Sequence, residues 1–104
     1  MMPRRRRRRG RRGRIPSPVY IGQQPTAGSF IPNPEGGMPP IHLEPEELEV
    51  LRLVDLEGLS QEEAGIRMGV SRGTIWRILE RARKKIAQAL TEGRRINIQT
   101  EGTG

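Results

Sequence analysis

The stretch Ser60-Gln61-Glu62-Glu63-Ala64-Gly65-Ile66-Arg67-Met68-Gly69-Val70-Ser71-Arg72-Gly73-Thr74-Ile75-Trp76-Arg77-Ile78-Leu79-Glu80 reads as two helices joined by a tight turn. Ser60 followed by Glu63 makes a capping box, in which hydroxyl and carboxylate each satisfy a backbone donor at a helix start. Gly69 ends that helix with a residue that tolerates positive φ, and Ser71 caps the next. Ala64 and Met68 give the first helix a face to bury. Gly65 admits a close crossing, Val70 plugs the core behind the turn, and Ile75 and Ile78 hold the second helix by its inner side. Together these are the demands of a helix-turn-helix.

Outward from this unit, the second helix meets no breaker before Gly93, and its apolar residues Ile75, Leu79, Ala82, Ile86 and Ala89 recur in steps of four and three, flanked by Ile78 and Leu90. Upstream, Glu44-Pro45 opens another helix, since proline suits the first turn and Glu46 and Glu47 favour the positive end of its dipole. Leu48, Leu51 and Val54, with Val50, Leu53 and Leu56 alongside, give it a broad apolar face until Gly58 stops it. The pattern predicts helices over about 44–57, 61–68 and 72–92, and hence a mainly α, three-helix domain over residues 43–92.

The flanks differ in kind. Residues 1–14 hold nine arginines and no acid, a composition that resists compaction and predicts a disordered arm. Residues 15–42 are so dense in proline and glycine that long helices are excluded, leaving a Pro/Gly-rich arm in which Val19-Tyr20-Ile21 suits a short strand. In the tail, residues 93–104, the alternation over 95–99 predicts another short strand, with Val19–Ile21 of the same or a second chain as its partner.

The chain of 104 residues has room for one small domain, with only Tyr20, Phe30 and Trp76 as aromatics. It has no cysteine, so neither disulfides nor thiolate metal sites hold it. The net charge of +7 conceals a segregation: residues 44–63 carry eight acids against Arg52 alone, while residues 67–95 carry nine bases against Glu80 and Glu92. Such a division presents basic elements to a polyanion and turns the acidic helix elsewhere. Nucleic acid fits this better than an anionic membrane surface. No apolar run approaches the ~20 residues of a membrane span, and no apolar region follows the basic N-terminus as in a signal peptide. A cytoplasmic protein is expected.

Burying Ile75, Ile78, Leu79 and Ala82 leaves Arg72, Gly73, Thr74, Trp76, Arg77 and Arg81 on the outer side of the helix that Ser71 caps. A major groove admits one helix, and residues near its N-terminus reach base edges. Arg72 and Arg77 each suit two bonds to guanine; Thr74 suits a thymine methyl or a phosphate; Gly73 allows close backbone approach. The Ser71 cap and the first free amides suit a phosphate oxygen. Two placements stay open for Arg77, on DNA or paired with Glu80 or Glu63, and likewise for Trp76, on DNA or packed against the first helix or the Pro-rich arm. Arg4, Arg5, Arg6, Arg7, Arg8, Arg9, Arg11, Arg12 and Arg14 suit auxiliary phosphate contacts, each neutralised phosphate adding ~0.9 to the salt slope. The plainer reading of this arm is a solubility tail.

The run Leu48-Glu49-Val50-Leu51-Arg52-Leu53-Val54-Asp55-Leu56-Glu57-Gly58-Leu59-Ser60-Gln61-Glu62-Glu63-Ala64, followed by Met68–Arg72, Arg77–Glu80 and Ala82–Ala87, resembles the small prokaryotic uncharacterised protein family 0251. The resemblance covers roughly residues 15–98 and is specific over 48–87. It implies a helix-turn-helix similar to region 4 of sigma-70 factors, in the winged-helix-like class, and DNA binding with no operator attached. The family often carries N-terminal cysteines where this chain has arginine and glycine, so no metal or redox role carries over. Where relatives often have Gln-Thr-Phe this chain has Gly73-Thr74-Ile75, so base preference does not carry over either.

Nothing points to catalysis. His42 stands alone as a boundary residue, Glu46 and Glu47 are adjacent and so face different sides of a helix, and no carboxylates show metal-ligand spacing. No enzyme, metal or cofactor is expected. The expected partner is double-stranded DNA, bound by a transcriptional regulator. Two alternatives are a protein-interaction module that docks on RNA polymerase or another regulator, and a non-specific RNA or DNA binder. Because one module reads only a half-site, a homodimer is expected, formed through the Ile75–Ala89 stripe or by pairing of Ile96–Ile98, although both suit an intramolecular core equally.

Overall fold

The computed structural model describes residues 19–99; the arginine segment 1–14 lies outside them. About half of these residues are helical, in three helices closed by a short three-stranded sheet. The elements run β1 (Ser29–Phe30), β2 (Ile41–Leu43), α1 (Pro45–Val50, continued by a π-helical segment Leu51–Leu56), α2 (Gln61–Met68), α3 (Arg72–Glu92) and β3 (Ile96–Ile98).

The local signals act as their chemistry requires. Pro45 occupies the first position of α1, and the Glu44 N–H donates to Glu47 Oε1 at 2.9 Å. The helix then widens. The Glu57 N–H reaches Arg52 O at 2.8 Å, five residues back, and Gly58 ends it at φ +80°. The wider turns carry an extra residue each, so the apolar face drifts: Val50 and Leu53 are buried, but Leu56 is 79% exposed. The capping box of α2 is complete, with the Glu63 N–H donating to Ser60 Oγ at 3.0 Å and the Ser60 N–H to Glu63 Oε1 at 2.9 Å. Gly69 closes α2 in the left-handed region. Gly65 sits where only hydrogen fits, because a Cβ there would lie 2.6 Å from the Val70 carbonyl oxygen.

The core gathers Val50, Leu53, Ala64, Met68, Ile75, Ile78 and Leu79 from all three helices, with Val19, Leu59 and Val70 packed against it. Ile41, Leu43, Ala82 and Ala89 are buried as well. By contrast Leu90, read as flanking the α3 stripe, is 77% exposed.

The sheet corrects one expectation. Residues 96–98 do form a strand, but its partners are β1 and β2, in the order β1-β3-β2, antiparallel to the first and parallel to the second. Val19–Ile21 is not a strand: the Tyr20 N–H donates to the carbonyl of Met68, the last residue of α2, at 3.1 Å, and just beyond the stretch the Gly22 N–H donates to the Glu49 side chain at 2.8 Å. β2 lies in a region read as arm, with Ile41 and Leu43 buried and His42 exposed between them. The two surfaces suggested for a homodimer are both used within the chain. The α3 stripe is core, and β3 is the central strand, paired on both edges.

Candidate nucleic-acid interface

The first turns of α3 are fixed at both ends of their geometry. Inward, Ile75, Ile78 and Leu79 are buried in the helical core. Outward, Arg72, Gly73, Trp76 and Arg77 are exposed and Thr74 half-buried. Ser71 begins a short hydrogen-bonded chain: its Oγ accepts from the Thr74 N–H at 3.1 Å and lies 2.9 Å from Thr74 Oγ1, which accepts from Arg77 Nη2 at 3.4 Å. Arg77 therefore pairs with neither Glu80 nor Glu63; its guanidinium lies over the capped end of the helix. Trp76 is 48% exposed. The structure thus brings Ser71, Thr74 and Arg77 together at one helix end, with Arg72 and Gly73 in the same first turn.

Arg81 is placed differently. Its Nε donates to Glu47 Oε2 at 2.5 Å, and Lys85 Nζ donates to Glu47 Oε1 at 2.8 Å and to the His42 carbonyl at 2.7 Å. The Glu47 side chain is fully buried. Burial pushes its carboxyl up, but the Glu44 backbone, Lys85 and Arg81 outweigh this and hold it below the usual glutamate range. Further along the same two helices, Arg83 grips Asp55 through two bonds of 3.2 and 2.6 Å, lowering that carboxyl too. Arg94 pairs with Glu92, and Arg95 with Glu35.

These pairs revise the charge argument. The acidic helix turns carboxylates onto the basic one: α1 packs on α3, and Glu47 and Asp55 take up the cations of the middle of α3. Of the nine bases over 67–95, the cations that form no ion pair among the described residues are Arg67, Arg72, Arg77 and Lys84. Three of the four flank the α2–α3 turn. A sequence does not reveal this, because Glu47 and Arg81 are 34 residues apart. A buried glutamate inside an otherwise apolar stripe was the one available signal.

A separate groove of about 450 Å³ opens between α1 and residues 23–30. Phe30, Leu48, Leu51, Leu56 and Ile98 line it, with Arg52 and Glu49 on its wall. It shares no residue with α2 or α3. Among the described residues no group of three or more His, Cys, Asp or Glu side chains is placed to hold a metal ion, and no helix is long and apolar enough to cross a membrane.

The fold and site define a small domain of three helices sealed by a short sheet, with a tight turn between two helices and unpaired arginines around it. The chain belongs to the family described as Protein of unknown function DUF134, whose model matches residues 2–103. It is similar to a UPF0251 protein of Pyrococcus furiosus, with 56% identity over 97 residues that cover 90% of this chain and 87% of the relative. A UPF0251 protein of Archaeoglobus fulgidus is 44% identical, covering 88% and 87%. Bacteria carry relatives as well: a UPF0251 protein of Vibrio vulnificus is 45% identical, covering 81% of this chain and 86% of its own. No solved structure matches the chain.

Proposed function

We propose that this protein binds double-stranded DNA and regulates transcription, with α2 and α3 acting as a helix-turn-helix and α3 reading the major groove. One observation carries the reading. The cations in the middle of α3 are held by buried or partner carboxylates, while Arg72 and Arg77, on its first two turns, are left unpaired beside a capped N-terminus. That end of a helix attracts phosphate through its free amides and its dipole, and it is the end that reaches base edges in a major groove. Arg72 and Arg77 contact bases, Ser71 and Thr74 a phosphate, and Gly73 and Trp76 line the approach. Arg81 serves this surface indirectly, as a strut on Glu47. The arginines of residues 1–14 add phosphate contacts.

The competing reading, a module that docks on polymerase or another regulator through its acidic helix, loses support here, since Glu47, Glu49 and Asp55 are already engaged by this chain's own cations.

Fluorescence anisotropy with a labelled duplex across a salt series tests the proposal, using the full chain, a chain lacking residues 1–14, and Arg72→Ala/Arg77→Ala. The truncated chain is expected to bind duplex at low salt, and the double variant to lose sequence preference. Each bidentate arginine accounts for ~1–3 kcal/mol of discrimination. If the truncated chain binds no duplex at low salt, the proposal fails; if only the arm binds, and equally to RNA, the protein is a non-specific nucleic-acid binder. Selection from random duplexes would give the site, and a palindromic product would show that two copies bind together.

A further inference from the structure

The outer face of α3 carries one aromatic residue, Trp76, and the residue one turn before it, Gly73, has no side chain. Arg72, Gly73, Trp76, Arg77 and Glu80 are exposed at the spacing of a single helix face, opposite the buried Ile75, Ile78 and Leu79. Helical side chains lean back over the preceding turn, so Trp76 and Arg77 flank Gly73, three and four residues earlier. A Cβ at Gly73 would have Arg77 Nη1 at 3.8 Å and Ser71 Oγ at 3.9 Å as its nearest side-chain neighbours, with no side-chain atom of Trp76 as near. The face therefore holds an open notch. Gly73 is its floor, the indole one wall and the Arg77 guanidinium the other. Arg77 is kept in place through its Nη2, which donates to Thr74 Oγ1 at 3.4 Å.

What such a notch takes follows from its chemistry. Trp76 is 48% exposed and is not among the side chains packed on the core, so an apolar surface faces outward. Arg72 and Arg77 beside it form no ion pair among the described residues and offer only hydrogen-bond donors. The matching ligand has an apolar group set next to acceptors. A phosphate has no apolar group. Among the base edges of a major groove, thymine alone carries a methyl group, and it stands beside the O4 acceptor. Cytosine lacks the methyl and turns an amino donor toward the arginines. A side chain at position 73 would take the place of the methyl, which accounts for a glycine where alanine would favour the helix.

We propose that Gly73, Trp76 and Arg77 seat the 5-methyl group of one thymine, with Trp76 as the specificity-determining residue. The methyl lies against the indole over Gly73, and Arg77 donates to O4 or to an acceptor of the adjoining base pair. This rests on the reading of α3 as the duplex-binding helix and names a base that it selects.

Uracil in place of thymine removes that methyl and nothing else, so the test compares two duplexes on one protein. The full chain selects a duplex from a random pool, each thymine of the product is replaced by uracil in turn, and affinity is measured by fluorescence anisotropy. One replacement is expected to weaken binding about fourfold, the worth of one covered methyl group. Trp76→Ala is expected to bind the thymine and uracil duplexes equally, and so is Gly73→Ala, which fills the notch. A loss of stability in either variant cancels from this ratio, because both duplexes meet the same protein. As the sole tryptophan, Trp76 also reports directly: its emission is expected to shift to the blue on the selected duplex, as the indole loses water. Three results would overturn the notch. They are a selected site that holds no thymine or tolerates uracil throughout, a preference that survives Trp76→Ala, and tryptophan emission unchanged on binding. In each of these the duplex is still bound. Failure of the chain lacking residues 1–14 to bind duplex at low salt is a different outcome, and it overturns the reading of α3 and the notch with it.

Discussion

Gly65 and Gly73 offer the same substitution, in consecutive helices, with opposite expected signs. Elsewhere a helical Gly→Ala change stabilises by about 0.4–1 kcal/mol, because the unfolded chain loses freedom. At Gly73 that gain is available, since the nearest atoms to a new Cβ are Arg77 Nη1 at 3.8 Å and Ser71 Oγ at 3.9 Å. At Gly65 the new Cβ would lie 2.6 Å from the Val70 carbonyl oxygen and 3.5 and 3.6 Å from the Ser71 and Arg72 backbone. The turn cannot yield cheaply, because the Val70 N–H is bonded to the Gly65 carbonyl at 2.9 Å and Gly69 already closes the helix. Overpacking of this kind costs about 1–3 kcal/mol, outweighing the helical gain. With ~4–8 °C per kcal/mol for a domain of this size, Gly65→Ala should lower Tm by several degrees or more, and Gly73→Ala should raise it by a few. Thermal melts followed by far-UV circular dichroism would decide. Gly73→Ala should also weaken duplex binding while stabilising the fold, because its methyl projects from the outer face of α3. A Gly65→Ala protein as stable as the parent would refute the close-crossing account of the turn.

Other perturbations separate charges held within the fold from those left unpaired near the α2–α3 turn. Ser71→Ala removes the acceptor for the Thr74 N–H and should cost ~1 kcal/mol, read as a Tm decrease in melts without DNA. Replacing both Arg81 and Lys85 by alanine leaves the buried Glu47 without its cations and should destabilise by ~3–5 kcal/mol, whereas Arg72→Ala should leave the denaturant midpoint nearly unchanged and act on duplex affinity alone. The carboxyls of Glu47 and Asp55 are lowered in the fold, so their stabilisation is complete above the unfolded carboxylate range and lost as pH falls through their folded values. Glu46, raised chiefly by burial, runs the opposite way. The buried Glu47, held by two cations, should dominate, so Tm is expected to fall below about pH 4, less steeply in Glu47→Gln; an identical pH profile for that variant would show that Glu47 does not set it.

The helical half of the fold was legible because its signals are local. Capping at Ser60 and Ser71, the chain reversal at Gly69 and the stops at Gly58 and Gly93 each depend on a few neighbouring residues. The π-helical turns over Leu51–Leu56 were not legible, because the same apolar residues satisfy a 3.6-residue period almost as well. The sheet was half legible: Ile96–Ile98 alternates, but β1 has only two residues and β2 only three. Strands that short exist through their partners and not through their own propensity. Val19–Ile21 looked like a better strand than Ser29–Phe30, yet the end of α2 takes the Tyr20 N–H. At the candidate interface the inner side of α3 was legible from Ile75, Ile78 and Leu79. The fate of Arg81 was not, since it depends on a carboxylate in another helix.

That fate bears on how the domain would meet a polyanion. Had every base of α3 stayed free, positive charge would be spread around a 21-residue helix, and a duplex lying against one side would meet only a share of it. The acidic α1 instead neutralises the middle of α3 where it covers the core, through Glu47 on Arg81 and Lys85 and through Asp55 on Arg83. What survives is concentrated near the α2–α3 turn, in Arg67, Arg72 and Arg77, where the positive end of the α3 dipole adds to it. Pairing within the protein therefore concentrates the outward positive field near the turn without changing the net charge. It follows that adding cations along the middle of α3 should raise non-specific affinity more than specific affinity. Exchanging Glu47 for glutamine, which releases Arg81 and Lys85, should do the same without adding any, seen as a steeper salt dependence on non-specific duplex.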